Sequence, residues 1–205
     1  MSWERLRASY DLVAAKYEAR FADELREKPR DRELLAAFAA TVHDPIVELG
    51  CGPGHIGAFL RERGRRVVGL DLSHGMATLA QRRLDGVAVA DMRSPPLRPA
   101  AAGGILAFYS LIHLRRPELG PVLGECRRIL RPGGSLLLSA HEGVGEVGVT
   151  EFLGETAPLT ATLFTLDELA AAITAAGLEI VRTERRAPYP TEGQTVRLYV
   201  EACRP

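Results

Sequence analysis

The sequence predicts a single doubly wound α/β domain, and three observations carry that expectation. From about residue 45 onward, short apolar runs that read as strands alternate with segments of helical spacing. The first of these strands enters a turn with glycine at alternate positions, Gly50, Gly52 and Gly54, in "IVELGCGPGHIGAFL". The last two strand-like runs are joined by a turn-rich segment without a helix, so they must pair antiparallel.

Taken in order, Leu6, Tyr10, Val13, Tyr17 and Phe21 keep a helical spacing and predict an N-terminal amphipathic helix. A second helix is expected over Arg32 to Thr41. Residues 45–50 read as a strand and 55–64 as a helix closed by Gly64. Residues 66–72 are the second strand, and Ser73 is the N-cap of a helix expected to reach about Leu84. Residues 87–92 form the third strand, ahead of a proline-rich loop, and 104–112 the fourth. A helix over 118–130 carries Gly120, Pro121 and Gly124, which weaken its first turns. "PGG" (132–134) turns into a strand at 135–140, and residues 143–164 read as an irregular segment rich in glycine and threonine. A helix capped by Thr165 and closed by Gly177 precedes the final strands, 178–184 and 195–202. The early strands are almost continuously apolar, as expected where helices cover both faces of a parallel sheet. With neither an internal repeat nor a linker, residues 1–205 read as one domain, in which 1–42 supply helices for a lid and 43–205 the core.

Composition narrows the function. Of 205 residues, 46% are hydrophobic and 25% charged, a globular balance. Basic and acidic residues cancel at 26 each, which leaves no field to gather a polyanion, so nucleic acid is not an expected partner. Cys51, Cys126 and Cys203 are too scattered for a disulfide framework or a metal-binding pair, so no metal is expected and a reducing cytoplasm is. The start is charged and lacks a signal-peptide core, and no apolar run nears the ~20 residues a bilayer span requires. A cytoplasmic monomer or homodimer with no membrane association is the expectation.

The glycine turn points to a ligand. Glycines there permit positive φ and let a ligand approach the backbone, and in an open α/β sheet that turn lies at the ligand crevice. The spacing is GxGxG, with His55 where a dinucleotide fingerprint has its third glycine, and no lysine follows as in a phosphate-binding P-loop. Asp71 ends the second strand 21 residues after Gly50, placed to accept hydrogen bonds from ribose hydroxyls. Asp91 ends the third strand, where a carboxylate can accept from an adenine amine.

On these residues the sequence resembles the class I S-adenosylmethionine-dependent methyltransferases. "VELGCGPG" is similar to their first motif, "GLDLSHGM" to the end of their second strand, and "ADM" to their adenine-contacting turn. "ILRPGGSLLLS" is similar to the helix, turn and strand after their fourth strand, and "YDLVAAKYEARF" to the helix that small members fold over the cofactor. The resemblance runs from about Tyr10 to the C-terminus. It implies a Rossmann-like seven-stranded sheet of order 3-2-1-4-5-7-6 with strand 7 antiparallel, and S-adenosyl-L-methionine as cofactor. It also implies roles: Glu48, Gly50, Cys51, Gly52 and Gly54 in the cofactor loop, and Asp71 on the ribose with Leu72 and Met76 nearby. Asp91 and Met92 would hold the adenine, and Tyr109 and Ser110 would lie beside the methionine portion. Tyr10 and Tyr17 would close over it, although both serve equally well as core aromatics.

The acceptor is less legible. His113 and His141 follow the fourth and fifth strands, on the rim where a substrate would meet the methyl group, and are candidate bases. His43, His55 and His74 read as surface residues, and Lys28 and Arg32 as a solvated helix face, with contact to an acidic substrate group as the alternative. "FYSLIHL" stands where adenine- and glutamine-methylating relatives carry Asn/Asp-Pro-Pro-Tyr/Phe, and no Pro-Cys nucleophile suggests cytosine chemistry. The reading is methyl transfer to an oxygen, nitrogen or carbon of a small molecule, with the acceptor site built by the N-terminal helices and residues 143–164. Three alternatives stay open: a non-methylating enzyme on the same cofactor fold, a non-catalytic binder of the cofactor, and, disfavoured by the glycine spacing, a nicotinamide-dependent dehydrogenase.

Overall fold

A computed structural model of the chain describes residues 2–205. Seven strands form the main sheet: β1 (Ile46–Leu49), β2 (Val67–Asp71), β3 (Gly86–Val89), β4 (Ala102–Phe108), β5 (Leu130–His141), and β8 (Glu179–Arg186) and β9 (Arg197–Cys203). Their order is β3-β2-β1-β4-β5-β9-β8, parallel as far as β5, with β9 antiparallel to both its neighbours. This is the expected 3-2-1-4-5-7-6 order, β8 and β9 standing as its strands 6 and 7. The chain reverses its direction of winding between β1 and β4, and the carboxyl ends of those strands bound the crevice.

Helices α1 (Trp3–Phe21), α2 (Pro29–Thr41), α3 (His55–Arg61), α4 (His74–Ala80), α5 (Arg116–Ile129) and α6 (Leu166–Ala175) surround the sheet. Leu34, Leu35 and Phe38 of α2 and Ile56 and Leu60 of α3 are buried in one core with Ile46, Leu106 and Leu137. Val122, Cys126 and Ile129 of α5 and Leu169 and Ile173 of α6 are buried in the other, with Ile105, Leu136 and Leu138. Each such leucine or isoleucine removed from water contributes on the order of 1.5–3 kcal/mol. Every residue of β1 and β4, between these layers, is buried, which explains their near-continuous apolar spelling apart from Glu48.

Helix α1 packs on α4 and crosses the carboxyl edge of the sheet, tied there by polar contacts. Asp11 Oδ1 accepts from the Ser73 hydroxyl (2.6 Å) and the Gly75 N–H (2.9 Å) at the start of α4. The Ser9 hydroxyl donates to the Pro158 carbonyl (2.8 Å), and the Trp3 indole N–H to Glu118 (3.2 Å). A Cβ on Gly75 would lie 3.0 Å from that of Ala14, so glycine is what lets the two helices approach. No helix among the described residues is long and apolar enough to cross a membrane.

The structure departs from the sequence-based expectations at several elements; β3 and β4, for example, end at Val89 and Phe108 rather than 92 and 112. Segment 143–164 is not irregular: β6 (Glu146–Val149) and β7 (Leu159–Thr162) pair antiparallel as a separate ribbon. Its alternation of Val147, Gly148 and Val149 was too short, and too poor in apolar residues, to read as a strand. Helix α2 begins at Pro29 rather than Arg32, because proline suits the first turn, whose N–H groups have no helical partner. Helix α5 begins at Arg116 and takes Pro121 inside it. Helix α4 stops at Ala80, short of Leu84.

Gly54 is the N-cap of α3 with φ +81°, and a Cβ there would lie 3.1 Å from both Cα and Cβ of Ala80. Gly54→Ala is therefore expected to destabilise the fold by about 2 kcal/mol or more, from the left-handed backbone and the clash together. Urea unfolding checks this, and an unchanged midpoint would contradict the packing role.

Candidate active site

The site is built on the loop between β1 and α3. Gly50, Gly52 and Gly54 all have positive φ, at +67°, +53° and +81°, so alternate left-handed residues coil the backbone back on itself. Asp71 fixes that coil to the end of β2. Its Oδ2 accepts from the Gly52 N–H (2.7 Å) and its Oδ1 from the Ser73 N–H (2.8 Å). Burial pushes the Asp71 carboxyl up to about 6, against the lowering effect of those N–H groups. Glu48, buried beneath the loop, is pushed up to about 8, first by burial and then by the nearby Asp71 carboxylate. At neutral pH Glu48 is thus largely protonated and Asp71 largely ionised.

The loop opens on a cavity of about 430 Å³. Of the sequence-predicted residues, it brings together Tyr10, Tyr17, Glu48, Gly50, Cys51, Gly52, Asp71, Leu72, Met76, Met92, Tyr109, Ser110, His113 and His141. Two do not join them. Gly54 faces α4, where its missing side chain serves helix packing. Asp91 does not line the cavity: Arg93 Nε and Nη2 grip both of its oxygens, at 2.6–3.0 Å. Burial alone would raise the Asp91 carboxyl, but the Arg93 guanidinium holds it below its ordinary range. The adenine acceptor expected at Asp91 is thus already engaged by a neighbour two residues on.

The two candidate bases differ in what they present. The His113 Nδ1 lies 3.0 Å from the Thr160 carbonyl, which can only accept, so Nδ1 carries the proton. The other nitrogen, Nε2, then accepts from the Tyr10 hydroxyl at 2.8 Å. Burial lowers the His113 pKa, and its lone pair is covered by a tyrosine of the lid helix. The His141 ring stacks on Tyr109 at 5.3 Å between centroids, and its Nδ1 meets the Thr195 hydroxyl at 3.0 Å. Burial, then the Arg197 charge, lower His141 to about 4, so it is neutral near pH 7. Tyr109 itself has φ +54°, a left-handed conformation that costs a bulky residue roughly 1–3 kcal/mol and marks a site held by its surroundings. Its N–H donates to the Ser139 hydroxyl (2.9 Å), and its own hydroxyl lies 3.0 Å from that of Tyr199.

Several lining residues were not expected. Lys28, read as part of a solvated face, is only 16% exposed at its side chain and lines the cavity with Arg197, while Arg32 stays exposed. His55, read as a surface residue, has a side chain 7% exposed and meets Glu24 at 2.8 Å; His43 and His74 are exposed as expected. Phe21, Phe152, Val147, Val149 and Leu159 complete an apolar wall. These come from the N-terminal helix and from residues 143–164, the segments expected to build the acceptor site, although none of the five was singled out as a site residue.

The geometry fits an S-adenosylmethionine-sized ligand with a ribose and an amino-acid chain. A Cβ on Gly52 would meet nothing within 4 Å, so that position is open where a ligand would lie against backbone. The Ser110 hydroxyl is buried without a partner beside Gly50. Asp71 keeps lone pairs beyond the two it already uses, enough to accept from a pair of hydroxyls.

Comparison with known proteins agrees. Residues 46–134 match the family described as a methyltransferase domain. The chain is 31% identical over 140 residues to malonyl-(acyl-carrier protein) O-methyltransferase of Serratia marcescens, covering 67% of this chain and 50% of that protein. It is 35% identical over 138 residues to trans-aconitate 2-methyltransferase of Methylobacterium nodulans, covering 66% and 52%. The chain thus spans about half the length of these curated relatives. Among solved structures, the 1,6-didemethyltoxoflavin-N1-methyltransferase of Burkholderia thailandensis superposes with a TM-score of 0.71 at 22% identity, over 100% of this chain and 91% of that one. Residues 46–134 thus carry a methyltransferase domain, and the sheet order, glycine loop and acidic strand end built around it are similar to those of the class I S-adenosylmethionine-dependent methyltransferases.

Proposed function

We propose that this protein moves a methyl group from S-adenosylmethionine to an oxygen, nitrogen or carbon nucleophile of a small molecule. The observation that carries this reading is the meeting of Gly50, Gly52, Asp71 and the two candidate histidines in one cavity. The roles follow from the chemistry of each group. Asp71 accepts from the ribose hydroxyls, and the bare backbone of Gly50 and Gly52 admits the amino-acid portion. Leu72, Met76 and Met92 bracket the adenine, while Tyr10, Tyr17, Tyr109 and Ser110 stand beside the methionine chain.

When bound, the cofactor supplies a methyl group already made electrophilic by a sulfonium. The protein's own task is therefore orientation, which in favourable systems lowers a barrier by up to ~7–11 kcal/mol. Holding α1 across the crevice through Asp11, Ser9 and Tyr10 keeps water out and fixes the approach of the acceptor. A base matters only for an acceptor that must lose a proton, and a proton bound for His113 Nε2 would pass through the Tyr10 hydroxyl. The two relatives named above differ in their printed acceptors, so their names do not choose one for this chain.

Turnover separates this reading from a non-methylating enzyme or a mere binder. With S-adenosylmethionine and a library of small acceptors, S-adenosylhomocysteine should accumulate only when a suitable acceptor is present. No accumulation with any acceptor, from a protein that binds the cofactor, would favour the alternatives. Asp71→Asn should weaken S-adenosylhomocysteine binding roughly 10- to 100-fold in calorimetry, the loss expected for hydrogen bonds to a charged group; unchanged affinity would remove the ribose role. Gly52→Ala should weaken the same binding about tenfold or more, with a stability cost of only ~1–2 kcal/mol from the left-handed backbone. An equal fall in stability and no change in affinity would make Gly52 a turn residue only.

The buried carboxyls also set a pH dependence. Glu48 keeps its proton in the folded protein to about pH 8, against 4.5 for its ordinary value. Between those limits the folded state binds more protons than the unfolded one, so stability falls as pH rises. Asp71, raised to about 6, adds to the fall over the lower part of the range. The melting temperature of the ligand-free protein should therefore drop between pH 5 and 8, and Glu48→Gln should flatten that drop. A slope unchanged in the variant would show that Glu48 is not the group responsible.

A further inference from the structure

One wall of the cavity carries chemistry that cofactor binding leaves unused. Beside Tyr109, which follows β4, Lys28, ahead of α2, His141, at the end of β5, and Arg197, at the start of β9, converge there. The Lys28 ammonium lies 5.7 Å from the centre of the Tyr109 ring, on which His141 stacks. Arg197 Nη1 donates to the Thr195 hydroxyl (2.6 Å), and that hydroxyl meets His141 Nδ1. We propose that this cluster seats a carboxylate carried by the methyl acceptor, an inference that rests on the methyl-transfer reading above.

The hydrogen-bonding capacity left on this wall is donor capacity. The Thr195 hydroxyl accepts from Arg197, and in the arrangement proposed it donates its own proton to His141 Nδ1. That places the imidazole proton on Nε2, which has no hydrogen-bond partner among the described residues. Lys28 has three N–H groups, of which Glu24 takes one at 2.6 Å, with Glu192 at 3.6 Å. The acidic groups nearby are engaged. Glu24 is held by His55 (2.8 Å) and Lys28, and Glu192 by both terminal nitrogens of Arg186 (2.8 and 3.0 Å) and the Tyr189 N–H (2.8 Å). Asp31, behind Tyr109, is bonded to the Tyr199 hydroxyl and to Arg186. Glu192 also lies 3.6 Å from Arg197 Nε, so Lys28, Arg186 and Arg197 are balanced in charge by Glu24, Asp31 and Glu192, but Glu192 and Asp31 sit behind the wall while Lys28 and Arg197 line the cavity with N–H groups to spare. A carboxylate supplies the acceptor oxygens that such a wall lacks.

Two further observations agree with an acid. Phe21, Phe152, Val147, Val149, Leu159 and Ala161 make the remaining wall apolar, which suits a small acid with an apolar body. The lone pair of His113 is covered by Tyr10, so that imidazole offers no open base, and in the arrangement proposed His141 faces the cavity as a donor. An acceptor that arrives ionised requires no base.

The test is calorimetric titration of the protein loaded with S-adenosylhomocysteine, using phenylacetate and hexanoate against their primary amides. At least one acid should bind about tenfold or more tightly than its amide. Lys28→Met and His141→Phe should each reduce that preference about fivefold or more while S-adenosylhomocysteine affinity stays within about twofold, which also shows that the variants fold. Equal binding of acids and amides, no binding of either acid, or a preference that survives both substitutions would overturn the proposal. Nitrogen-15 NMR of the His141 ring gives an independent reading: a bare Nδ1 and protonated Nε2 support it, and the opposite tautomer overturns it. If the unmodified protein fails to bind S-adenosylhomocysteine, the methyl-transfer reading falls and this proposal with it; binding without an acid preference removes the carboxylate alone.

Discussion

The Asp71 carboxylate is the joint on which the rest of the site depends. Through one oxygen it holds the Gly52 N–H and through the other the Ser73 N–H, so it locks the glycine coil after β1 to the start of α4. Ser73 in turn donates to Asp11 of α1. A single acidic side chain therefore sets the spacing of loop, sheet and lid. Two positions beside it tolerate no extra atoms: a Cβ on Gly50 would lie 2.5 Å from that of Ser110, and one on Gly57 would lie 2.5 Å from Glu48 Oε2. At Gly52, by contrast, a Cβ would meet nothing within 4 Å, and glycine there serves the left-handed backbone that aims the N–H at Asp71.

Burial then decides the charge of each group around that joint. Glu48 is large enough to fill space under the loop, yet it becomes largely neutral, which avoids placing two bare carboxylates side by side with Asp71. The same desolvation keeps His113 and His141 neutral. Near pH 7 the lining holds one ionised acid at the glycine loop, Lys28, Arg197 and Glu24 on another wall, and Arg7 from α1. The cavity is thus polarised without a large net charge, in keeping with a protein whose basic and acidic residues balance overall. The strained backbone of Tyr109 sits where these regions meet, with its ring against His141 and its hydroxyl against Tyr199.

How much of this was legible in the sequence depended on whether the signal was local. The sheet order was, because near-continuously apolar strands, interleaved helices and a helix-free final connection leave few ways to wind a chain. Gly50, Gly52 and Asp71 were legible as well, since a strand-turn-helix unit and the next strand end carry them to one crevice. The hairpin of β6 and β7 was not: its strands have four residues each, and its pairing is decided by tertiary contact. Asp91 looked equivalent to Asp71, and only the fold shows Arg93 gripping it. Lys28 and Arg197 are 169 positions apart and neither belongs to a motif; antiparallel pairing of β9 with β5 sets Arg197 opposite His141 and so into the wall that Lys28 reaches. His55 looked like a surface residue because a loop position says nothing about the Glu24 that covers it.

The central claim is that the glycine coil and Asp71 form a seat for S-adenosylmethionine. Calorimetric titration of the purified protein with S-adenosylmethionine, S-adenosylhomocysteine and NAD+ tests it most directly. The account predicts saturable one-to-one binding of the first two and none of NAD+. Binding of NAD+ alone, or of none of the three, would contradict it.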